Sequence, residues 1–256
     1  MKKFLSILCL VASAACAKSA QPESVLLLNA TKDRVELNRN ADQIRSIASI
    51  TKLMTVMIAL DSNRDLNKKL MLSRRVPSKL PHQEYTRSQL LEAMLINSDN
   101  AAAETIAEDF PGGREAFVRR MNWYAFNWGL TNTHFNDPSG LSPFNTSTAR
   151  NVADMVHTAS AYWFIRDIGV KKQTYLATKH KKKTQTIKLN HTSGSILSFD
   201  NVIVSKTGLT NAAGWCVGMV IEKNGQEYVI VVLGAKNKNQ RLTTIKEIMN
   251  TQVTDN

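Results

Sequence analysis

Strand-like and helix-like segments are distributed unevenly along this chain, and that distribution limits the folds it can adopt. Residues 24–39 alternate apolar runs with a polar turn at Thr31 to Asp33, which predicts a β-hairpin. The middle of the chain has apolar residues at helical spacing. Apolar strand segments return after residue 172, and Asn224-Gly225 between two of them predicts a second hairpin. Both ends of the chain are therefore expected to build one antiparallel sheet around a central all-helical block, which is an α+β fold.

Two helix starts can be placed within the helical block. From Ser49 onward, apolar residues recur at intervals of three and four, which predicts an amphipathic helix with Ser49 in its first turn. Lys52 then lies one turn further along, on the same side as Ser49. Thr86 and Gln89 have capping-box spacing, which predicts a second helix that ends just before Asn97.

The first 17 residues have the pattern of a secretory signal peptide. Lysines precede an apolar run, and small residues in an A-x-A arrangement end at Ala17. Cleavage after Ala17, or at the latest after Ala20, is expected to leave residues 18–256 as a single exported domain. No later stretch has the roughly 18 apolar residues that a membrane span needs, so we expect no stable membrane anchor.

Cysteine content argues against a disulfide framework. Two of the three cysteines lie in the predicted signal peptide, so the mature chain keeps only Cys216 and has no partner for it. Cys216 stands in an apolar strand segment, where a thiol is typically an inert, buried side chain. Histidine and cysteine do not occur at metal-ligand spacing, and we expect neither a metal nor another cofactor.

The chain is strongly basic, with a formal net charge of +12. The densest run is Lys179–Lys183, which we interpret as the solvated face of a hairpin, with attraction to anionic envelope polymers as the alternative. Few aromatic residues accompany it, so no nucleic-acid partner is expected. The aromatic segment "MNWYAFNWG" has helical spacing and is interpreted as core packing.

Three short motifs occur in one order along the chain. A lone Ser-x-x-Lys is expected about once by chance in a chain of this length. Here it is followed by a Ser-x-Asn motif at a helix break and by Lys-Thr-Gly at the end of a strand, a trio shared by penicillin-binding proteins and class A β-lactamases. The motifs are Ser49-x-x-Lys52, Ser98-x-Asn100 and Lys206-Thr207-Gly208.

With these motifs, the chain resembles the low-molecular-mass penicillin-binding proteins, and within them the D-alanyl-D-alanine endopeptidases of the penicillin-binding protein 7 type. The similarity runs through "IASITKLMT", "LINSDNAAAETIAEDFPGG", "FNDPSGLSPFNTSTA" and "VSKTGLTNAAGWC". It implies the serine DD-peptidase/β-lactamase-like fold with a five-stranded antiparallel sheet. It also implies periplasmic acyl-enzyme chemistry on peptidoglycan stem peptides, with β-lactam antibiotics as covalent inhibitors.

The motif residues suggest how such chemistry would proceed. A serine hydroxyl is a weak nucleophile and needs a base, and a lysine is a base only where burial or a nearby positive charge disfavours its ammonium. Our hypothesis is that Ser49 attacks the scissile carbonyl and Lys52 takes its proton, with Lys206 as the neighbouring charge. Ser98 would relay a proton toward the leaving amine.

The remaining motif residues are expected to bind substrate. Asn100 would hold the substrate amide, and Lys206, Thr207 and Gly208 form the motif expected to hold the carboxylate beside the scissile bond. The resemblance implies an oxyanion hole formed by the backbone N–H groups of Ser49 and Leu209.

Three other functions compete with this one. Class A β-lactamases deacylate through a glutamate that follows the Ser-Asp-Asn motif, and no glutamate occurs between Glu115 and Glu222. The missing glutamate disfavours a β-lactamase. A D-alanyl-D-alanine carboxypeptidase has the same motifs as an endopeptidase and stays open. A non-catalytic module that senses β-lactams or peptidoglycan also stays open, although it would not require both lysines.

Overall fold

The structure is a computed structural model that describes residues 23–180, 183–251 and 253. The predicted signal peptide lies outside these ranges, as does part of the basic run at Lys179–Lys183. Within the described ranges, no helix combines the length and the apolar character required to cross a bilayer.

Strands and helices follow the order expected from the sequence. The strands are β1 (Ser24–Asn29), β2 (Arg34–Arg39), β3 (Arg45–Ser46), β4 (Lys69–Met71), β5 (Glu84–Thr86), β6 (Thr146–Ser147), β7 (Gln173–His180), β8 (Lys183–Asn190), β9 (Val202–Thr210), β10 (Gly214–Lys223) and β11 (Gln226–Ala235). The helices are α1 (Lys52–Asp61), α2 (Arg87–Ile96), α3 (Asn100–Asp109), α4 (Gly113–Asn127), α5 (Ala149–Ser160), α6 (Trp163–Ile168) and α7 (Lys238–Thr251).

Strands from both ends of the chain form one five-stranded antiparallel sheet. Its strand order is β2-β1-β11-β10-β9, so the N-terminal hairpin pairs with the last strand along the chain. The predicted α+β fold with a five-stranded sheet is confirmed. β7 and β8 form a separate two-stranded sheet instead of extending the main one.

The sheet is covered on both faces, and alternation along its strands assigns side chains to each face. Val25 and Leu27 pack into a cluster that includes Ile245 of α7. Leu26, between them, belongs to the larger cluster on the opposite face, which is built with the helical block. β9 is one of the two edge strands, and it packs against the short 3-10 helix Ala48–Thr51 that carries Ser49.

The helix after Ser49 differs from the prediction in two ways. Ser49 lies in the 3-10 helix, and α1 begins only at Lys52. The predicted amphipathic stripe is wrong, because every residue from Lys52 to Ala59 is buried. The reason is position: α1 packs against α2, α3, α4 and α5, so it has no solvent-facing side over most of its length.

Local signals at other element ends are confirmed. The Thr86 hydroxyl accepts from the Gln89 backbone N–H, and the Gln89 side chain accepts from the Thr86 N–H. Asn224 and Gly225 both have positive φ, at 53° and 71°, as a tight hairpin turn requires.

The aromatic segment in α4 is a second correction. Met121 and Ala125 are buried, but Phe126 is 82% exposed and Trp123 is 53% exposed. Helical spacing identified the buried stripe and could not show that the flanking aromatic side chains point outward.

Candidate active site

Ser49 lies at the point where the sheet edge meets the helical block. The preceding residue, Ala48, has a φ of 46°, in the left-handed region that residues with a Cβ seldom adopt. Ala48 and Ile50 are both fully buried, which fixes the 3-10 turn on either side of Ser49. This turn presents Ser49 to a cleft, while its neighbours anchor it in the core.

Lys52 is the first residue of α1 and is completely buried. Its Nζ atom lies 2.9 Å from Ser49 Oγ, 2.7 Å from Asn100 Oδ1 and 2.6 Å from the Ser139 carbonyl oxygen. The structure therefore brings Ser49, Lys52 and Asn100 together, as predicted. Asn100 contacts the lysine directly, which the expectation of a substrate-binding role alone did not include.

Burial lowers the pKa of Lys52 to about 7. The nearby carboxylates of Asp137, Asp99 and Glu104 oppose this effect, and Lys79 adds to it. Burial was one of the two causes expected from the sequence and has the main effect; the expectation of Lys206 as the neighbouring charge is corrected, because the cation that lowers the Lys52 pKa is Lys79. The pKa of Lys206 is itself lowered, first by burial and then by the charge of Lys52.

The contacts of Lys52 determine what its neutral form can do. Asn100 Oδ1 and the Ser139 carbonyl can only accept hydrogen bonds. A neutral amine would therefore direct its two N–H groups to these oxygens and its lone pair toward the Ser49 hydroxyl. That arrangement is able to take a proton from Ser49 at neutral pH.

A loop at residues 137–142 supports Lys52 from behind, and the sequence reasoning gave its residues no role. Asp137 accepts hydrogen bonds from the backbone N–H groups of Ser139, Gly140 and Ser142 and from the Ser139 hydroxyl. This network aims the Ser139 carbonyl at Lys52. The D-P-S-G turn sequence was the signal that could have located the loop.

Gly140 fits this loop closely against the 3-10 turn. Its φ is 81°, and a Cβ there would overlap the Ala48 carbonyl oxygen. Glycine satisfies both the left-handed backbone and the close approach. The loop can therefore pack directly behind Ser49.

Ser98 and Lys206 meet across the cleft. Ser98 follows α2 in a left-handed conformation with a φ of 61°, and the Lys206 Nζ atom lies 2.9 Å from its Oγ atom. Lys206 is fully buried and also donates to the Thr207 carbonyl oxygen. The second and third motifs are thus in direct contact.

Gly208 allows strand β9 to approach Ser49. A Cβ at Gly208 would lie 2.9 Å from the Ile47 carbonyl oxygen and 3.0 Å from the Ser49 backbone nitrogen. The next residue, Leu209, is 52% exposed and lines the same cleft. Thr207 is buried, and its hydroxyl donates to the Thr192 hydroxyl at 3.0 Å, a partner that the sequence did not indicate.

The cleft has a volume of about 400 Å³. Its lining includes all the predicted site residues except the two buried lysines, which contact residues in its wall. Those lining residues are Ser49, Ser98, Asn100, Thr207, Gly208 and Leu209.

Comparison with known families agrees with this geometry. The sequence model of the D-alanyl-D-alanine carboxypeptidase family, Peptidase_S11, matches residues 11–237, which is most of the chain. The chain belongs to this family. Its members are serine DD-peptidases, which confirms the resemblance, and the superposition on a solved DD-transpeptidase given below confirms the serine DD-peptidase fold.

Individual relatives of this Peptidase_S11 chain include curated proteins and solved structures. The D-alanyl-D-alanine endopeptidase of Escherichia coli is 33% identical over 88% of this chain and 76% of its own length. The protein of the same name from Pseudomonas aeruginosa is 33% identical over 84% of this chain and 72% of its own length. The crystal structure of the Streptomyces K15 DD-transpeptidase superposes with a TM-score of 0.83, at 26% identity, covering 88% of this chain and 94% of that one.

Proposed function

We propose that this Peptidase_S11 member hydrolyses D-alanyl cross-links between peptidoglycan stem peptides through an acyl-enzyme on Ser49. The observation that carries the proposal is the buried Lys52 amine, 2.9 Å from Ser49 Oγ, with its other two contacts made to acceptor oxygens. A surface lysine with an ordinary pKa would remain protonated and could not act as a base.

In the proposed acylation step, Ser49 Oγ bonds to the D-alanyl carbonyl carbon and passes its proton to Lys52. The C–N bond then breaks, and Ser98 relays this proton from Lys52 to the leaving nitrogen, which returns Lys52 to its neutral form. A water molecule next attacks the ester while Lys52 takes the water proton, and Lys52 passes that proton to Ser49 Oγ as the peptide acid leaves. The contact between Ser98 and Lys206 supports the relay position of Ser98.

The developing oxyanion would be held by the backbone N–H groups of Ser49 and Leu209. The role of Leu209 is carried over from the family resemblance. The close packing of Gly208 on the Ser49 backbone supports it, because that packing brings strand β9 beside the reacting serine.

The substrate carboxylate beside the scissile bond would bind at Lys206 and Thr207. Burial lowers the pKa of Lys206, and a carboxylate within contact distance would raise it again. Asn100 Nδ2 would hold the substrate amide while Asn100 Oδ1 orients Lys52. β-Lactam antibiotics would acylate Ser49 as covalent inhibitors.

Endopeptidase activity is preferred over carboxypeptidase activity because the two relatives at 33% identity are named endopeptidases. The family description names the carboxypeptidase, which remains the second candidate. Both substrates place a carboxylate on a D-centre next to the scissile amide, so the motifs do not distinguish them.

The test compares two substrates in parallel. Purified cross-linked muropeptide dimers and monomeric pentapeptides are incubated with the mature protein, and products are separated by chromatography. We expect dimers to fall to monomers much faster than pentapeptides lose D-alanine. Rapid D-alanine release with intact dimers would assign a carboxypeptidase, and covalent penicillin binding without turnover of either would assign a sensing module.

We also propose that the chain is exported to the periplasm and that residues 18–256 form one peptidase domain. The lysines, apolar run and small residues before Ala17 support export, as does a cell-wall substrate. Amino-terminal sequencing of protein from the periplasmic fraction tests this: a chain that starts between residues 18 and 21 is expected, and an intact residue 1 would contradict it.

A further inference from the structure

Lys79 lies in the active-site cleft, although it belongs to none of the three motifs. It is an exposed residue of the loop between β4 and β5, and it lines the cleft together with Ser98 and Asn100. It therefore lies on the Ser98 side of the cleft.

The loop holds Lys79 in a defined place. Asp99 Oδ2 accepts hydrogen bonds from the Lys79 backbone N–H at 3.0 Å and from the Ser78 hydroxyl at 2.7 Å. Asp99 Oδ1 accepts from the Ala102 N–H and so caps α3. Leu80, the next residue, is buried. The aspartate between Ser98 and Asn100 thus fixes Lys79 to the same helix end that carries both of those residues.

Lys79 shares the cleft with other cations. Among the described residues it forms no ion pair, and the charged side chains that line the cleft are all cations, namely Lys79, Lys238 and Arg241. Cations that line one cleft repel each other and attract an anionic ligand. Such a cleft suits a peptide that carries more than one carboxylate.

We propose that Lys79 binds a second substrate carboxylate, distinct from the one assigned to Lys206 and Thr207, and that the enzyme thereby selects stem peptides whose side-chain carboxylates are free over those in which they are amidated. This inference rests on the proposed function, because it names a chemical requirement of the same substrate. Amidation replaces a carboxylate by a neutral carboxamide of nearly the same shape, so it removes the charge that Lys79 would bind.

The test uses muropeptide dimers in two forms, one with free side-chain carboxylates and one with carboxamides, and both forms keep the carboxylate beside the scissile bond. We expect the unmodified enzyme to favour the carboxylate form in kcat/KM by about tenfold to a hundredfold, the range for a hydrogen bond to a charged group. Lys79→Ala should bring this ratio close to one, mainly through KM, and Lys79→Arg should keep most of it.

The matched control is Lys69→Ala, which removes an exposed lysine of β4 that does not line the cleft. It should leave the ratio unchanged. The proposal would be overturned if Lys79→Ala lowered kcat/KM equally for both substrates, or if the unmodified enzyme had a ratio near one.

A second readout separates this proposal from the endopeptidase assignment. Each dimer form is used to compete with fluorescent penicillin for Ser49, which measures binding even where no dimer is cleaved. Absence of dimer turnover would contradict the proposed function alone. Equal competition by the carboxylate and carboxamide forms would contradict the role of Lys79 alone.

Discussion

The Nζ atom of Lys52 lies 2.6 Å from the carbonyl oxygen of Ser139, a residue 87 positions further along the chain. This contact uses one N–H of the lysine, and Asn100 uses another. The remaining position on the nitrogen faces Ser49 Oγ. A loop outside the three motifs therefore determines the direction in which the proposed base points.

The first prediction concerns the ionisation of Lys52. Its pKa is lowered to about 7, and only the neutral amine accepts a proton, so the rate of acylation by penicillin should rise with pH and level off above a midpoint near 7. Lys52→Arg should lower the rate by about 10² to 10⁴, because a guanidinium does not deprotonate in proteins. Lys69→Arg, outside the cleft, is the control. A flat profile from pH 6 to 9 would remove Lys52 from this role.

The second prediction concerns Gly140. Gly140→Ala should both destabilise the protein and slow penicillin acylation, because a Cβ would overlap the Ala48 carbonyl oxygen beside Ser49. Gly129→Ala is a matched control, since Gly129 also has positive φ but its Cβ would meet no atom within 4 Å. The control should lose about 1 kcal/mol of stability from backbone strain and keep its acylation rate. The melting temperature reports stability, and penicillin acylation kinetics report the rate. Equal losses of stability and rate in the two variants would contradict the packing described for Gly140.

The third prediction concerns Asp137. Asp137→Ala leaves the donors of the 137–142 loop without their acceptor and should lower the free energy of unfolding by about 2 to 4 kcal/mol. Asp137→Asn keeps an oxygen for the three donors now bound to Oδ1, so its free energy of unfolding should fall by less than that of Asp137→Ala. Urea denaturation gives the ranking. If the asparagine variant proved as unstable as the alanine variant, the Oδ1 contacts would not be the source of the stabilisation.

The fourth prediction concerns Cys216. The side chain is fully buried, and burial raises the pKa of its thiol to about 11. Because the thiolate is the reactive form, a thiol reagent should leave the folded mature protein unmodified at pH 8 and modify one group per chain after denaturation. Rapid modification of the folded protein, with its melting temperature unchanged, would show that the strand does not enclose the thiol.

Local features of the structure could be predicted from the sequence. The capping box at Thr86 and Gln89 and the turn at Asn224 and Gly225 depend on residues close together in the chain. The five-stranded sheet followed from the strand segments at the two ends together with the family resemblance. The three motifs also located the site, since each of them supplies residues to one cleft.

Features that depend on distant residues could not be predicted. The burial of Lys52 arises because α1 is enclosed by four other helices, which periodicity within α1 does not reveal. Asp99 binds the loop that carries Lys79 into the cleft, and Asp137 holds the turn that brings Ser139 to Lys52, so both positions depend on residues distant in the chain. The exposure of Phe126 likewise depends on what packs against α4 rather than on its sequence.

Covalent labelling with fluorescent penicillin, followed by mass spectrometry of the labelled peptide, tests the acyl-enzyme on Ser49 most directly. We expect one label per chain on Ser49, and no label on a Ser49→Ala variant whose melting temperature shows that it is folded. A label that persists in the folded Ser49→Ala variant, or that maps to Ser98 in the unmodified protein, would contradict the account.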